Sequence, residues 1–506
     1  MANGGDLMKK SLIVALITAA FSFANAAQTG STTKPVGNPQ QDVLVKFKSH
    51  AALSAFSRTV TFSTGAKIEA LGVGNWARVQ TPMTSAFSLA NIAKNPNVEY
   101  VQPNYRLAPF VSPSLAQARA QAKAMIAKNP HIFDGLPDLS VRTDNPAIPS
   151  NVGTASTTTG ADPLFAKQWG MNDIGTPAAH AIGRGKDVIV AVIDTGVDYT
   201  HEDLVENMWR NAGEIPDNKI DDDKNGYVDD IVGWDMVDND NKPFDLAGSI
   251  IDIVLKGANP GHGTHCAGNV AARGNNGIGI SGVAPEAKIM ALRFIGAHSG
   301  STADAVKAMV YAVQNGAKVM SNSWGSIGED PADPVGNKAL RDAITMTEEA
   351  GVLFVAAAGN GDPQTGVGYS NDDNVAKQSV PASYPQDSII SVAALDANNQ
   401  LGKFSNWGAT TVDIGAPGVA VFSTVVQTAK YTDTVLDFMG LKATWDGTSM
   451  ATPHVAGAAA LYWSKHPTAT WREVKAALMT SAVPISSLTG KVVSGAKLNT
   501  ANLMAR

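Results

Sequence analysis

The sequence is short of three features that would each define a class of protein. It has a single cysteine, Cys266, so no disulfide can form within one chain. It has no excess of positive charge, because 39 lysines and arginines stand against 45 aspartates and glutamates, and we expect no nucleic-acid partner. Its N-terminal apolar run, residues 12–23, is too short to cross a bilayer, so we expect no membrane anchor in the mature protein.

Residues 1–27 have the pattern of a short extension followed by a secretion signal. Lys9 and Lys10 supply the charged start, residues 12–23 supply the apolar run, and Ala24-Asn25-Ala26 supplies a small-residue cleavage site. We therefore expect the protein to be exported, to the periplasm or to the medium, once the signal is removed. Because no disulfide is available there, its stability must have another source.

The chain of 506 residues, with 44% hydrophobic residues, is long enough for two or three domains. Residues 41–108 predict a small ferredoxin-like α+β unit, with helices near 51–56 and 85–94 and strands near 43–47, 59–62, 76–79 and 98–101. Residues 109–161 contain an Ala-rich helical piece, 116–128, and then a stretch rich in Ser, Thr, Gly and Pro. We expect this segment to be an exposed linker.

From residue 162 to residue 506 the sequence alternates between strand and helix patterns. The continuous apolar run 188–193 is typical of a strand that is buried on both faces. This alternation predicts an α/β domain with a parallel sheet that helices cover on both sides. The further predicted strands are 288–293, 318–322, 352–357 and 389–393, and the predicted helices are 302–315, 340–350 and 471–479.

Three short motifs carry residues suited to acyl transfer. Asp194 directly follows the buried strand, His262 stands between two glycines, and Ser449 precedes a run of small residues typical of a buried helix. We expect Pro453 in the first turn of that helix. Each residue alone could be an ordinary strand-end, structural or capping residue. Together they could form a site in which histidine takes the serine proton and aspartate orients the imidazole.

The order of these residues along the chain separates the classes of enzyme. No aspartate follows Ser449 and Glu473 is the only glutamate there, which argues against the Ser–acid–His order of an α/β-hydrolase. Two other classes stay open. One is a metal-dependent hydrolase built on His262 and His265, which lacks an acidic third ligand at the usual spacing. The other is a non-catalytic binding module on a protease fold.

The order Asp194, His262, Ser449 and the motifs around these residues resemble the subtilisin-like serine proteases (subtilases). The resemblance runs from about residue 162 to the C-terminus, and Cys266 is similar to the cysteine of the thermitase and proteinase K branches. It implies a three-layer fold around a mostly parallel sheet. It also implies that residues 41–108 are a propeptide that assists folding and inhibits the enzyme. The matching segments are Asp194–Asp198, His262–Gly268 and Gly447–His454.

The resemblance also implies the roles of individual residues in a serine endopeptidase that acts, as a monomer, on proteins and peptides. Ser449 would be the nucleophile, His262 the general base and acid, and Asp194 the orienting carboxylate. Asn360, in a Gly-Asn-Gly turn, would donate a hydrogen bond to the oxyanion. The propeptide tail near 105–109 would lie in the active site until self-cleavage. The residues expected to flank the substrate are Ser323, Trp324, Gly325, Ser299 and Gly300, with Trp324 lining the main specificity pocket.

Acidic clusters predict structural Ca²⁺ sites, two or three ions in all. Residues 221–230 place oxygen ligands at the first, third and fifth positions of an EF-hand-like loop, but Val232 stands where an EF-hand has glutamate. The resemblance implies two more sites, and a solvated acidic surface is the alternative for each. The candidate ligands are Asp221, Asp223, Asn225 and Asp230 in the first site, Asp235, Asp238 and Asp240 in the second, and Asp162, Asp203 and Asn276 in the third.

Overall fold

The computed structural model describes residues 40–64, 66–72, 74–82, 92–110, 112–133, 145–154, 159–327, 337–362, 364–373, 378–426 and 429–506. The predicted secretion signal, residues 1–27, lies outside the described residues. Among the helices that are described, none is long and apolar enough to cross a membrane.

The N-terminal unit is a four-stranded antiparallel sheet packed against one long helix. Strand β1 (Gln40–Phe47) buries Val43, Val45 and Phe47, and helix α1 (His50–Thr64) covers them with Leu53 and Phe56. The strand order β2-β3-β1-β4 is that of a ferredoxin-like sheet, as predicted. The other strands are β2 (Lys67–Ala70), β3 (Trp76–Pro82) and β4 (Val98–Pro103).

One predicted strand of this unit differs from the structure, and one predicted helix lies mostly outside the described residues. Residues 59–62, predicted as a strand, belong to α1, and the strand is formed by 67–70 instead. The β-branched residues Thr59, Val60 and Thr61 favour a strand, but this propensity is weak beside the packing of a continuous helix on a sheet. Of the predicted helix 85–94, most residues lie outside the described ones, although Ile92 and Ala93 are helical.

The large domain is built on a nine-stranded sheet in which every pair of neighbours is parallel except the last two strands at one edge. Across the sheet the order is β20-β21-β15-β14-β12-β10-β6-β8-β7. In chain order these strands are β6 (Ile189–Asp194), β7 (Gly233–Asp235), β8 (Lys288–Arg293), β10 (Val319–Asn322), β12 (Leu353–Ala357), β14 (Ile389–Leu395), β15 (Ile414–Pro417), β20 (Val483–Pro484) and β21 (Ala496–Lys497).

Alternate residues of β6 enter two different cores, one on each face of the sheet. Val190 and Val192 pack with the residues of helices α6 (His262–Ala271) and α9 (Thr448–Lys465). Ala191 and Ile193 pack with α7 (Thr302–Gln314) and α8 (Lys338–Glu349). The predicted α/β fold with helices on both faces is therefore confirmed. Shorter helices are α3 (Trp169–Asp173), α4 (Thr176–His180), α5 (Ile250–Leu255), α10 (Trp471–Ser481) and α11 (Thr500–Met504).

Short strands lie outside the central sheet. They form a second sheet of order β13-β11-β5-β9 and two hairpins, β16–β17 and β18–β19. The strands are β5 (Arg106–Pro109), β9 (Gly300–Ser301), β11 (Trp324–Ile327), β13 (Ser379–Val380), β16 (Ser423–Thr424), β17 (Tyr431–Thr432), β18 (Thr434–Phe438) and β19 (Leu441–Thr444).

The segment predicted as an exposed linker is docked on the large domain over much of its described length. Helix α2 (Pro113–Lys128) buries Leu115, Ala118 and Ala122 in the same core as α9. Further on, the hydroxyl of Tyr199 donates to the carbonyl oxygen of Pro146 at 2.7 Å. The prediction that 113–128 is exposed was therefore wrong, because the apolar residues Leu115, Ala118 and Ala122 recur on one face of this helix and pack it on the core.

Candidate active site

Asp194 and His262 meet because a buried strand ends where a helix begins. Asp194 is the last residue of β6 and His262 the first of α6, and the imidazole Nδ1 lies 2.8 Å from the Asp194 carboxylate. Gly263 allows this approach, since a Cβ atom there would lie 2.1 Å from the carbonyl oxygen of Gly196. The other imidazole nitrogen, Nε2, is buried and has no hydrogen-bond partner among the described residues.

Ser449 is the second residue of α9, where the backbone N–H groups of a helix are unpaired and the helix dipole is positive. Its hydroxyl donates to the carbonyl oxygen of Ser323 at 3.0 Å, so it is not bonded to His262 in this conformation. Pro453 lies inside the helix and not in the first turn, which corrects the prediction. Because proline has no N–H, the carbonyl of Ser449 lacks its helical donor and accepts from the Ser323 hydroxyl at 2.8 Å.

Strands β9 and β11 flank a cleft next to Ser449, and the side-chain amide of Asn360 points into it. Its side-chain oxygen accepts from the backbone N–H and from the hydroxyl of Thr448, both at 2.9 Å. This fixes the orientation of the side chain, and the Nδ2 group donates to the carbonyl oxygen of Phe110 at 3.4 Å. Thr448 immediately precedes Ser449, so the amide and the serine are positioned by the same helix terminus.

The chain's own residues 106–110 lie in the cleft as an extended strand. Strand β5 pairs antiparallel with β9 through Leu107 and Gly300, and with β11 through Pro109 and Trp324. This is the mode in which an extended peptide adds a strand to an exposed sheet edge. The ring of Phe110 packs over Gly325, where a Cβ atom would lie 2.7 Å from the ring.

The predicted cleft residues have different positions relative to this strand. Ser299 accepts a hydrogen bond from Arg106 at 3.3 Å, while Ser323 contacts Ser449 instead of the strand. The Trp324 side chain is fully buried against Phe294 and Phe354. Its ring therefore lies in the core while its backbone pairs with Pro109, which does not match a ring that lines the main specificity pocket.

The groups around His262 shift the pKa of its imidazole upward. Burial alone would lower the pKa of its imidazole, but the neighbouring Asp194 carboxylate and the Cys266 sulfur outweigh burial and raise the pKa well above its usual value. His265 behaves in the opposite way, because burial lowers its pKa to about 3. It bonds the carbonyl oxygen of Val421 and stacks on Trp445, turned away from His262.

Comparison with known proteins identifies the family. The model of the subtilase family matches residues 185–502, which is more than half of the chain. The chain belongs to the subtilase family. It is thus a serine-type endopeptidase with peptide substrates.

Individual subtilases match over most of the large domain. Thermitase of Thermoactinomyces vulgaris is 35% identical over 64% of this chain and 92% of its own length. Subtilisin E of Bacillus subtilis (strain 168) is 35% identical over 62% of this chain and 65% of its own length, slightly less than two thirds. The alkaline protease of Alkalihalobacillus alcalophilus is 35% identical over 68% of this chain and 73% of its own length.

The predicted cation site of Asp162, Asp203 and Asn276 brings together three distant segments of this subtilase. Asp203 accepts from the Asn276 side chain and from the Ile280 backbone, both at 2.8 Å, and Asp162 accepts from the backbone N–H of Asn276 at 3.2 Å. Burial raises the pKa of Asp203 to about 7 and also raises the pKa of Asp162. Asn276 thus donates to both carboxylates, through its backbone to Asp162 and through its side chain to Asp203. Among the described residues, no Lys or Arg forms an ion pair with either carboxylate, since Arg184 and Arg273 pair with glutamates instead.

A second group of carboxylates is formed by the acidic loop 221–230 together with Glu214, a residue that the sequence did not single out. Carboxylate oxygens of Glu214, Asp221 and Asp223 lie within 4.8 Å of one another. Asp230, a predicted ligand, is fully buried beneath them and accepts from Tyr311, Asn211 and Asn225. Within the loop, the backbone N–H of Asn225 also donates a hydrogen bond to the carboxylates of Asp221 and Asp223.

The predicted site of Asp235, Asp238 and Asp240 already contains a cation from the protein. The Arg293 guanidinium bonds both Asp235 and Asp238, the latter at 2.7 Å, and only 6% of Arg293 is exposed. Asp240 accepts from the backbone of Lys242 and not from this group. Because the arginine supplies the positive charge that the prediction assigned to calcium, this loop does not fit a calcium site.

Proposed function

We propose that this subtilase is an exported, calcium-stabilised serine endopeptidase that is made as a self-cleaving precursor. The observation that carries the proposal is the position of Phe110. Its carbonyl oxygen accepts from Asn360 while residues 106–109 pair with both edges of the cleft. This is the arrangement expected of a peptide whose bond after Phe110 is to be cut.

In this proposal Ser449 attacks the carbonyl carbon of the substrate and His262 takes its proton. Asp194 holds the imidazole through Nδ1 and favours its charged form, so that Nε2 can accept the serine proton and later give it to the leaving amine. Asn360 and the backbone N–H of Ser449 stabilise the oxyanion of the tetrahedral intermediate. The serine hydroxyl must first turn from the Ser323 carbonyl towards His262.

Residues 41–108 act as the inhibitor and residues 106–110 as the first substrate. The N-terminal unit is anchored on α8, because Gln102 accepts from the backbone of Ala339 at 2.7 Å and donates to Asn337 at 2.9 Å. Lys307 of α7 pairs with Glu69 at 2.8 Å. After cleavage these contacts would hold the unit in place as a product inhibitor until it is released or degraded.

Calcium would bind at two places. Carboxylate and amide oxygens of Asp162, Asp203 and Asn276 form one donor set, and the carboxylates of Glu214, Asp221 and Asp223 form the other. Oxygen donors of this kind suit Ca²⁺, and a cation would relieve the burial of ionised carboxylates. A bound ion stabilises the folded state according to its concentration and affinity, which suits an exported chain without a disulfide.

The test of the catalytic assignment is the variant Ser449→Ala of the full chain, expressed with its predicted signal. We expect no hydrolysis of casein and no cleavage after Phe110, as read by the mass of the N-terminal fragment. Ser464→Ala, at the far end of the same helix, is the matched control and should mature normally. Normal maturation of the Ser449→Ala variant would refute self-cleavage by this serine.

One inhibitor comparison separates this proposal from a metal-dependent hydrolase. Phenylmethanesulfonyl fluoride should abolish activity, whereas a chelator should act only by lowering thermal stability. Immediate loss of activity in chelator at a temperature where the fold is intact, with no effect of the sulfonyl fluoride, would favour the metal-dependent class.

A further inference from the structure

Asp194, His262 and Ser449 form the proposed catalytic triad. Asp245 is a fully buried carboxylate beside the first two of these residues and has no part in the proton transfers of the triad. One of its oxygens accepts from the hydroxyl of Thr195 at 2.8 Å and from the amide of Asn259 at 2.7 Å. The other accepts from the backbone N–H and the hydroxyl of Thr264, at 2.8 and 2.7 Å. All four donors lie within five residues of Asp194 or His262 in the sequence.

These bonds connect the strand that ends at Asp194 with the helix that starts at His262. Thr195 directly follows Asp194, and its hydroxyl also accepts from the backbone N–H of Gly263 at 2.8 Å. Asn259 accepts from the backbone N–H groups of Gly261 and His262, at 2.9 and 3.1 Å. Asp245 therefore binds Thr195, which follows Asp194, and also Asn259 and Thr264, which lie before and after His262. One carboxylate thus connects the segments that carry both residues.

The charge of Asp245 is balanced by these donors and not by a cation. Among the described residues no lysine, arginine or histidine forms an ion pair with it. Two of its four donors are groups at the start of α6, where the helix dipole favours a negative charge. Such a carboxylate is costly to bury, so its place in the loop between β7 and α5 points to a role beyond filling space.

We propose that Asp245 is a positioning residue that sets the distance and angle between Asp194 and His262. It acts through Thr195 on one side and through Asn259 and Thr264 on the other. This inference rests on the proposed triad. It adds that the hydrogen bonds of Asp245 fix the His262 imidazole before the substrate binds.

The test is Asp245→Asn in the mature enzyme, with active sites counted by reaction with a sulfonyl fluoride. The asparagine side chain has the same size as that of aspartate, but an NH₂ group replaces one carboxylate oxygen. This group donates hydrogen bonds and would face the donor groups that now bind Asp245. We expect kcat per active site to fall about 10- to 100-fold with KM nearly unchanged, because a shift of less than 1 Å in the general base affects the transition state more than peptide binding. The second-order rate of sulfonyl fluoride reaction should fall with kcat.

Asp413→Asn is the matched control. Asp413 is also a carboxylate of the large domain; it accepts from the backbone of Ser391 at 2.8 Å and lies 3.5 Å from Lys475, away from the triad. We expect this variant to lose thermal stability while it keeps its kcat. If Asp245→Asn lowers stability in the same way and keeps kcat per active site, the residue is structural only and the inference is wrong.

Thr195→Val keeps the inference testable if Asp245→Asn does not fold. It removes the hydroxyl link and should lower kcat about 10-fold with little change in KM. In the double variant the two effects should not add, because both act through one connection. Ser449→Ala is measured beside them: its full activity would refute the triad itself, whereas its inactivity with a normal kcat in both other variants would refute only the role of Asp245.

Discussion

The pH dependence of stability in calcium-free buffer tests the site formed by Asp162, Asp203 and Asn276. Burial raises the pKa of Asp203 to about 7, whereas an aspartate of an unfolded chain has a pKa of about 4. Between these values the folded protein keeps a proton that the unfolded chain has released, so stability falls as the pH rises through this window. The whole difference between the two pKa values corresponds to about 4 kcal/mol.

The perturbation is Asp203→Asn in the Ser449→Ala background, which cannot digest itself. In chelator, the free energy of unfolding of the parent should fall by about 3 kcal/mol relative to the variant between pH 5 and pH 8, since that interval covers about two thirds of the window. With calcium the loss should disappear, because a bound cation favours the ionised carboxylate. At pH 8 the parent should then be more stable than the variant.

Thermal and urea unfolding at pH 5 and pH 8, each with chelator and with calcium, give the four values for each protein. The comparison with the variant is needed because buried His180 and His454, whose pKa values burial lowers to about 4, favour stability at higher pH in both proteins. Asp437→Asn, an exposed carboxylate on the β18–β19 hairpin, is the control. Parallel pH profiles of parent and Asp203→Asn in chelator, or no effect of calcium at pH 8, would refute the reasoning.

Three further predictions concern the cleft and the docked helix. Asn360→Ala should lower kcat by about 10²–10³, the size known for an oxyanion donor, with KM nearly constant; an unchanged kcat would remove Asn360 from the oxyanion hole. Phe110→Asp should slow self-cleavage, followed by the mass of the N-terminal fragment, because a charge would replace the ring on Gly325; cleavage at the parental rate would show that this contact does not select the bond. Leu115→Ala should destabilise the Ser449→Ala protein by about 2–5 kcal/mol in urea unfolding, and a loss below about 0.5 kcal/mol would mean that α2 is not part of the core.

The sequence predicted the central domain well because its strands are continuous apolar runs. The strand predicted at 288–293 has the same bounds in the structure, and those predicted at 188–193 and 352–357 are shifted or shortened by one residue. A parallel strand that is buried on both faces consists almost entirely of apolar residues, so the strand can be predicted from its own short stretch of sequence. The pairing of Asp194 with His262 was also predictable, from the order of motifs and the resemblance to subtilases.

What the sequence did not reveal are the contacts between distant segments. Arg293 and Asp235 are 58 positions apart, and nothing near either residue indicates that they pair. Glu214 and Asp245 are single acidic residues whose importance depends on what the loops bring to them. Docking of α2 likewise depends on a surface made by α5 and β19, which lie far from α2 in the sequence and which it contacts through buried residues such as Leu115, Ala118 and Ala122. Such contacts follow from tertiary packing and leave no periodic pattern.

The ion pair of Arg293 with Asp235 and Asp238 changes how this protein responds to its surroundings. A metal ion leaves its site when its free concentration falls below the dissociation constant, so the stability that it provides depends on the metal concentration of the medium. A guanidinium attached to β8 is always present and stays charged at any physiological pH. The charge balance of Asp235 and Asp238 thus does not depend on the mineral content of the environment. Among the described residues, the two sites proposed for calcium are those expected to make the enzyme sensitive to calcium-poor water, and each can be tested separately.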